Sequence, residues 1–226
     1  MAEHAMERPL RPGDRAPNVV LDAINHGGKV SIEDFRGQSG VLVGLFRGLQ
    51  CPFCRRHIAA SAELASSLHE KGIDSLTVVN TPIERARLYF RYHPLPGVIA
   101  ASDPDSIAHR AFGLPNLQFT EHEDAWPYKV SIPTVMSMRM EMPGELPEPM
   151  NPFDASTYLN TLDGYEKTPA DEKTEERTGG QLVGEFLLDR NGIVRWSFTE
   201  VDGDGSNMFA IPRAEELMSA ASQLPH

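Results

Sequence analysis

Between residues 40 and 112, short apolar runs alternate with segments of helical period, and this alternation limits the fold more than any other feature. The first run, Gly40 to Phe46, is almost continuously apolar, which is typical of a strand buried on both faces. Leu76 to Asn80 and Val98 to Ala101 have the same character. Strands separated by helices at this spacing predict right-handed βαβ units on a mostly parallel sheet.

The helices are predicted from their start and stop signals. Pro52 suits the first position of a helix, and apolar residues at helical spacing then continue to Lys71, just before Gly72. A second helix is predicted to begin after Thr81, with Thr81 as its N-cap in a capping box, and to end near Tyr92.

The regular pattern stops after residue 115 and resumes near Phe186. We therefore expect one domain over residues 1–226 that carries an insertion at residues 116–180. Asn191-Gly192 lies between two apolar runs and predicts a late hairpin, followed by a last helix. Within the insertion, Asp163 to Arg177 is highly charged, and we expect a mobile surface segment there.

The charge balance excludes some classes of partner. The formal net charge is −11, which disfavours binding to nucleic acid or to an anionic membrane. No run approaches the ~20 apolar residues of a membrane span, and the charged start has no signal-peptide character. We expect a cytoplasmic protein, where structural disulfides are rare.

The only two cysteines, Cys51 and Cys54, have the Cys-x-x-Cys spacing of a redox pair. Cys51 falls where a buried strand gives way to a helix, and the positive end of the helix dipole favours a thiolate there. Cys54 follows one turn later and should lie deeper. We therefore predict that both are catalytic, with Cys51 as the attacking thiolate and Cys54 as the resolving thiol.

Basic residues surround the pair. Arg47 lies in the turn before Cys51 and is the best candidate to lower its pKa. We expect Arg55, Arg56 and His57 to form a solvated helix face. Two alternatives remain for the cysteines: inert buried thiols, or a metal site that includes His57. We expect no bound metal and no cofactor.

The segment LFRGLQCPFCRRH resembles the active-site segment of the peroxiredoxin-like branch of the alkyl hydroperoxide reductase and thiol-specific antioxidant family. Two further stretches are similar to that family: residues 75–114, which contain SDPD, and residues 184–198, which contain FLLDRNG. The resemblance covers about residues 15–115 and 180–200. It implies a thioredoxin-like α/β fold, a central mixed sheet flanked by helices, with the insertion before the last hairpin.

The chain also departs from that family. Gly44 and Gly48 stand where the family has a proline and a threonine, and Val183 stands where it has an arginine. Those groups support peroxide reduction, so their replacement should weaken it. Val183 also stands where thioredoxins place a cis-proline. Pro133 is a less favoured substitute because it lies in the insertion.

Four methionines alternate along residues 136–142, which predicts a strand with all four side chains on one face. This stripe would either cover the core or form an adaptable contact surface, with metal binding a weaker third option. A homodimer is compatible with the stripe and with the resemblance. Asp202-Gly203-Asp204-Gly205 lacks the remaining calcium ligands and is interpreted as a loop.

Together these observations predict a thiol–disulfide oxidoreductase or peroxiredoxin-like antioxidant that cycles a Cys51–Cys54 disulfide. Arg47, Gly48 and Pro52 are the expected supporting residues. The substrate is expected to be a hydroperoxide or a protein or small-molecule disulfide, and a cellular thiol the reductant. The alternative is a redox-sensing or non-catalytic binding module that uses the fold and the methionine-rich face.

Overall fold

The computed structural model describes residues 8–121, 128–201 and 208–225. Within these residues the strands are β1 (Val20–Ala23), β2 (Lys29–Ser31), β3 (Gly40–Phe46), β4 (Ile73–Val79), β5 (Val98–Ser102), β6 (Gln118–Thr120), β7 (Lys129–Ser131), β8 (Gly184–Leu188) and β9 (Val194–Thr199). The α-helices are α1 (Pro52–Glu63), α2 (Ala65–His69), α3 (Ile83–Tyr92), α4 (Ile107–Ala111), α5 (Ile132–Ser137), α6 (Pro152–Leu162), α7 (Pro169–Thr178) and α8 (Ala214–Ala221).

Seven strands form one mixed sheet in the order β2-β1-β5-β4-β3-β8-β9. The β3–β4 and β4–β5 pairs are parallel, whereas β1–β2, β1–β5, β3–β8 and β8–β9 are antiparallel. The predicted mixed sheet flanked by helices is thus confirmed, but the expectation of a mostly parallel sheet is wrong outside its centre. The predicted late hairpin is β8–β9, with Gly192 in its turn at φ 73°.

The central strand β3 covers the seven residues that its apolar run predicts, and all seven are buried. Alternate side chains of a strand point to opposite faces. Accordingly, Val41, Val43 and Leu45 belong to the largest apolar cluster, whereas Leu42 packs with α2 and α8 on the other face. Apolar side chains pack on both faces of β3, and the cysteine pair follows the carboxyl end of this strand.

Two helix predictions need correction. The helix from Pro52 does not run unbroken to Lys71, because it divides at Leu64 into α1 and α2. Thr81 does not cap the next helix, which begins at Ile83 after Pro82. The Thr81 hydroxyl instead accepts a hydrogen bond from the Leu49 backbone N–H at 2.8 Å, and so holds the turn before the cysteines.

The insertion contains regular structure rather than a loop. It holds β6, β7, α5, α6 and α7, with β6 and β7 paired in a small parallel sheet. The charged segment predicted to be mobile includes most of α7. This helix begins with a capping box formed by Thr168 and Asp171. Asp171 is 1% exposed and forms an ion pair with Arg85 at 3.1 Å, so this segment docks on α3.

The predicted methionine strand is wrong. Met136 lies in α5, and Met138 follows the end of that helix. Met138 packs near Leu182, whereas Met140 and Met142 pack in a separate cluster around Leu159. The methionines therefore do not share one face, and the stripe does not form a single surface.

Within the described ranges, no helix is long and apolar enough to cross a membrane. Asp202-Gly203-Asp204-Gly205, interpreted from sequence as a loop, lies outside the described residues.

Candidate active site

Cys51 lies at the junction between a buried turn and a helix. It is the N-cap of α1, with Pro52 as the first helical residue, and its backbone N–H donates to the Gly48 carbonyl at 3.0 Å. The Cys54 backbone N–H donates to Cys51 Sγ at 3.4 Å. A helix N-terminus presents unpaired N–H groups and partial positive charge, so this position favours a thiolate.

The two cysteines lie in different environments although both are free thiols. Cys51 is half-buried, whereas Cys54 is 1% exposed. Burial alone would raise the pKa of Cys51, but a hydrogen bond from the Cys54 thiol and the charge of Arg47 outweigh it and lower that pKa to about 6. Burial and the Cys51 sulfur raise the pKa of Cys54 well above its usual value.

Arg47 owes its position to Glu200, a residue that sequence reasoning missed. The Arg47 guanidinium forms a two-point ion pair with the Glu200 carboxylate, at 2.7 and 3.0 Å, and donates to the Gln181 carbonyl at 3.0 Å. The same carboxylate accepts from the Val183 and Phe209 N–H groups at 3.1 and 2.9 Å. A carboxylate with this many donors holds its arginine firmly, so the charge beside Cys51 is fixed in place.

Val183, which stands where the family has an arginine and thioredoxins a cis-proline, donates its backbone N–H to Glu200, and its side chain packs in the apolar cluster that includes Cys54. Pro133, the less favoured substitute, lies in the first turn of α5 rather than ahead of a strand. In this chain the cation near Cys51 is therefore Arg47, which lies in the turn before it.

Gly48 leaves room for the side chain of Gln50. A Cβ atom at residue 48 would lie 2.1 Å from Gln50 Oε1, closer than real contacts allow. The Gln50 amide thus occupies the space that a threonine at residue 48 would need. Gln50 is 4% exposed, and its Oε1 has no hydrogen-bond partner among the described residues.

The expectation that Arg55, Arg56 and His57 form a solvated face is wrong. Arg55 is 7% exposed and binds the Leu49 carbonyl at 2.7 Å, as well as acidic Asp163. Arg56 is partly buried and binds Asp163 at 2.9 Å and Glu145. His57 is 4% exposed, with Nε2 3.3 Å from a Glu185 carboxylate oxygen. Both arginines therefore attach α1 to the insertion.

The insertion covers the nucleophile. Cys51 lines a cleft of about 530 Å³ whose floor includes Arg47 and Gln50. Its apolar walls come from β6, α5, α6 and the chain after β9, through Leu117, Phe119, Val135, Phe153, Met208 and Phe209. A cleft of this size is in the usual range for small-molecule sites, on the order of 300–1,000 Å³.

No group of three or more histidine, cysteine or acidic side chains within the described ranges is placed to hold a metal ion. His57 points toward Glu185 and the Ser61 hydroxyl donates to the same carboxylate at 2.5 Å. His57 therefore belongs to a polar cluster with Ser61 and Glu185, which lies between α1 and β8.

Comparison with known proteins identifies structures with a similar fold. No curated protein matches the chain in sequence. Among solved structures, it is similar to a peroxidoxin from Mycobacterium tuberculosis, with 10% identity, TM-score 0.57 and coverage of 96% of this chain and 99% of that one. It is also similar to a peroxiredoxin-like protein from Aquifex aeolicus, with 13% identity, TM-score 0.56 and coverage of 96% and 89%.

A thiol peroxidase from Chromobacterium violaceum is a third similar structure, with 11% identity, TM-score 0.54 and coverage of 97% and 92%. These likenesses confirm the predicted thioredoxin-like fold. The family model described as Redoxin matches residues 11–131, a stretch that includes β1 to β5 and both cysteines. Because that match spans more than half of the chain, the protein belongs to the Redoxin family and is a thiol-dependent oxidoreductase.

Proposed function

We propose that this protein reduces hydroperoxides, with Cys51 as the nucleophile and Cys54 as the resolving thiol. The observation that carries the proposal is the place of Cys51, which lies in a partly open cleft beside the fixed charge of Arg47. With a pKa of about 6, Cys51 is roughly nine-tenths ionised at pH 7. A thiolate is the form that attacks peroxides.

The first step oxidises Cys51. Its sulfur attacks one oxygen of the hydroperoxide, so that a sulfur–oxygen bond forms as the oxygen–oxygen bond breaks. The second oxygen leaves as an alcohol, or as water, after taking a proton from solvent. Cys51 becomes a sulfenic acid. Arg47 stabilises both the thiolate and the negative charge that develops on the leaving oxygen.

The second step closes the disulfide. The Cys54 sulfur attacks the Cys51 sulfur, the sulfur–oxygen bond breaks, and the hydroxyl leaves as water with the Cys54 proton. Cys54 is three residues away on the same helix and already donates a hydrogen bond to Cys51. Two equivalents of a thiol then reduce the disulfide and are themselves joined as a disulfide.

A small cellular thiol is the proposed reductant, since the cleft admits small molecules, and a cytoplasmic location would supply it. Nothing in the proposed cycle requires a dimer. A small-molecule disulfide is the second candidate substrate, because a thiolate at the start of a Cys-x-x-Cys helix also attacks sulfur–sulfur bonds. The binding-module alternative, which the replacement of the family's proline, threonine and arginine by Gly44, Gly48 and Val183 favours, loses its expected contact surface, because the methionines do not form one face.

The test is rapid mixing of the reduced protein with a hydroperoxide, followed by acid quenching and intact mass measurement. We expect Cys51 to react several orders of magnitude faster than free cysteine, and the final product to be lighter by two hydrogen atoms. Oxidised glutathione in a parallel experiment tests the second candidate. A Cys51 that reacts with peroxide no faster than free cysteine would refute the proposal.

A further inference from the structure

A buried carboxyl group lies behind α1 and takes no part in the oxidation of Cys51. Glu185 of β8 is 1% exposed, and its Oε2 has no hydrogen-bond partner among the described residues. Its Oε1 accepts a hydrogen bond from the Ser61 hydroxyl at 2.5 Å and lies 3.3 Å from His57 Nε2. That nitrogen is also buried and makes no well-aligned hydrogen bond within the described part of the chain. Because buried polar atoms are normally paired, this cluster calls for a functional explanation.

The cluster is aligned with the resolving thiol along one face of α1. Cys54, His57 and Ser61 are spaced three and four residues apart, so they lie in a row on the same side of the helix, with neighbouring Cβ atoms about 5–6 Å apart. Cys54 and His57 are buried, whereas Ser61 is half-buried. Glu185 contacts the last two members of the row. The row therefore leads from the resolving thiol toward solvent.

The other sides of the cluster are closed to solvent. The cavity beside the Glu185 carboxyl group has a volume of about 10 Å³, which is room for one water molecule at most. The imidazole of His57 lies edge-on to the rings of Phe46 and Phe198, with centroids 5.0 and 6.0 Å away. Ser61 is thus the member of the cluster that can exchange a proton with solvent.

Few other charges act on the cluster. The two arginines of α1 bind acids of the insertion, and its glutamate is exposed. The side chains that β3, β4 and β9 place against His57 or in the cavity carry no charge within the described ranges. Arg47 and Glu200 act on Cys54 from the cleft side but are paired with each other. Cys54 is therefore the titratable group that shares this face of α1 with the cluster.

His57 and Glu185 together hold one transferable proton. A lone charge is costly to bury, so a buried imidazole and a buried carboxyl group keep one proton between them, as an ion pair or as two neutral groups. In either form the pair can give that proton to a neighbouring base. The Ser61 hydroxyl can then pass a proton from solvent to the carboxylate, because it already donates a hydrogen bond to it.

Reduction of the disulfide creates a need for such a proton. Cys51 is the more exposed sulfur, so a thiolate reductant attacks it, the sulfur–sulfur bond breaks, and Cys54 leaves with the electron pair. Burial raises the pKa of the Cys54 thiol well above its usual value, so the leaving thiolate must be protonated where it lies. Closure of the disulfide has no such need, since the Cys54 proton leaves with the hydroxyl as water.

We propose that Ser61, Glu185 and His57 form a proton relay that protonates Cys54 when a thiol reductant opens the Cys51–Cys54 disulfide. The His57–Glu185 pair gives its proton to the Cys54 sulfur, and solvent restores it through the Ser61 hydroxyl. A second thiolate then attacks the sulfur of the bound reductant and releases Cys51 as a thiolate, which needs no proton. The relay rests on the proposed reduction of this disulfide by a thiol, and not on which oxidant forms the disulfide.

The first test measures how fast glutathione opens the disulfide, which is formed with diamide so that no peroxide is needed. Acid quenching and intact mass give the rate. Glu185→Gln still accepts from Ser61 but holds no transferable proton, and His57→Phe keeps a ring in place. Each should slow opening about 10-fold or more at pH 6, because the positioned acid is lost. His69→Phe is the matched control, since His69 lies 3.3 Å from Asp74 at the surface. Opening at the unaltered rate in both relay variants would overturn the proposal.

The pH profile distinguishes a relay from a structural role. The opening rate is measured between pH 6 and pH 9 and divided by the concentration of glutathione thiolate. In the unaltered protein this ratio should fall as pH rises, because the His57–Glu185 pair loses the proton that it supplies. In Glu185→Gln and His57→Phe it should be lower and independent of pH. Profiles of the same shape in all three proteins would show that the cluster does not act as an acid.

Ser61 is tested by two substitutions of the same shape. Ser61→Thr keeps the hydroxyl, whereas Ser61→Val removes it and fills the same space. With excess glutathione and diamide, Ser61→Val should turn over several-fold more slowly than the unaltered protein, and Ser61→Thr should match the unaltered protein. Equal rates in the two variants would remove Ser61 from the relay and contradict the route proposed.

Oxidation of the reduced variants by hydrogen peroxide separates this inference from the proposed function. His57→Phe and Glu185→Gln should slow opening of the disulfide far more than the first oxidation of Cys51. If Cys51 reacts slowly with peroxide in every protein but the variants still slow opening, the peroxidase function fails and the relay stands. If oxidation is rapid and opening is the same in all proteins, the function stands and the relay is refuted. Equal losses in both steps would also refute the relay.

Discussion

The sheet core and the insertion meet at Cys51 and contribute different things. The core supplies the reactive group: β3 and its following turn place Cys51 at the start of α1, and Glu200, directly after β9, fixes Arg47 beside it. The insertion supplies much of the wall of the cleft. It also supplies Asp163, which holds α1 through ion pairs with Arg55 and Arg56. The core thus determines the reactivity of Cys51, and the insertion determines which molecules reach it.

This difference has a physical origin. The core groups near Cys51 are buried, so their charges act through a medium of low effective dielectric constant and strongly affect the thiol pKa. The groups of the insertion at the mouth are half-exposed or exposed, so they act through contact area and screened charge. Changes in the core should therefore alter the chemistry, and changes in the insertion should alter which molecules reach it.

The largest effect is expected from the cysteines themselves. Cys51→Ser should abolish turnover, because a hydroxyl of ordinary pKa cannot replace the thiolate. Cys54→Ser should still undergo the first oxidation, but should stop at a sulfenic acid that an external thiol must resolve. Intact mass after one equivalent of peroxide distinguishes the two: no change in the first variant and one added oxygen atom in the second. A Cys54→Ser protein with unimpaired turnover would show that Cys54 is not the resolving thiol.

The next effect concerns the Arg47 charge. Replacing both members of the ion pair, Arg47→Met with Glu200→Gln, removes the charge without leaving a buried ion alone. The pKa of Cys51 should rise, and peroxide oxidation at pH 7 should slow by about 10-fold as the thiolate fraction falls. Rates measured at pH 7 and pH 9 check this, because the deficit should shrink at the higher pH. A deficit of the same size at both pH values would mean that Arg47 does not act through the thiolate.

Single acid-to-amide substitutions compare how much an ion pair of the core and an ion pair of the insertion contribute to the free energy of unfolding. Glu200→Gln leaves the buried Arg47 guanidinium unpaired and should lower the free energy of unfolding by about 3–5 kcal/mol. Asp163→Asn removes a partly exposed partner, and Arg55 keeps the Leu49 carbonyl, so about 1–2 kcal/mol is expected. Asp22→Asn breaks an exposed pair with Lys29 and should cost under about 1 kcal/mol.

Urea unfolding of the three reduced variants measures this order. If Asp163→Asn destabilises the protein as much as Glu200→Gln, the insertion is as integral to the fold as the core is, and the division drawn between them does not hold.

The sequence predicts the core well because its signals are local. The apolar run of β3 gives the strand, the Cys-Pro-x-Cys segment gives the helix start, and Asn191-Gly192 gives the hairpin turn. Each of these depends on neighbouring residues, which interact wherever the chain folds.

What the sequence does not show depends on distant partners. Arg47 and Glu200 are 153 positions apart, and Arg55 and Asp163 are 108 apart, so no local pattern links them. Single arginines are usually solvated, which is the basis of the prediction for Arg55. Its burial depends on Asp163 and Asn160, which only the folded insertion brings near. The methionine prediction failed for a different, local reason, since Pro133 and the Ser131 cap begin a helix directly before Met136.

The central claim is that the core makes Cys51 an acidic thiol inside the cleft. The most direct measurement is the rate of Cys51 alkylation by iodoacetamide between pH 4 and pH 10, with the modified residue identified by peptide mass. The account predicts a rate that rises with pH to a plateau, with a midpoint near pH 6, because burial is outweighed by the Cys54 thiol and the Arg47 charge. A midpoint at or above the ~8.5 of free cysteine would contradict it.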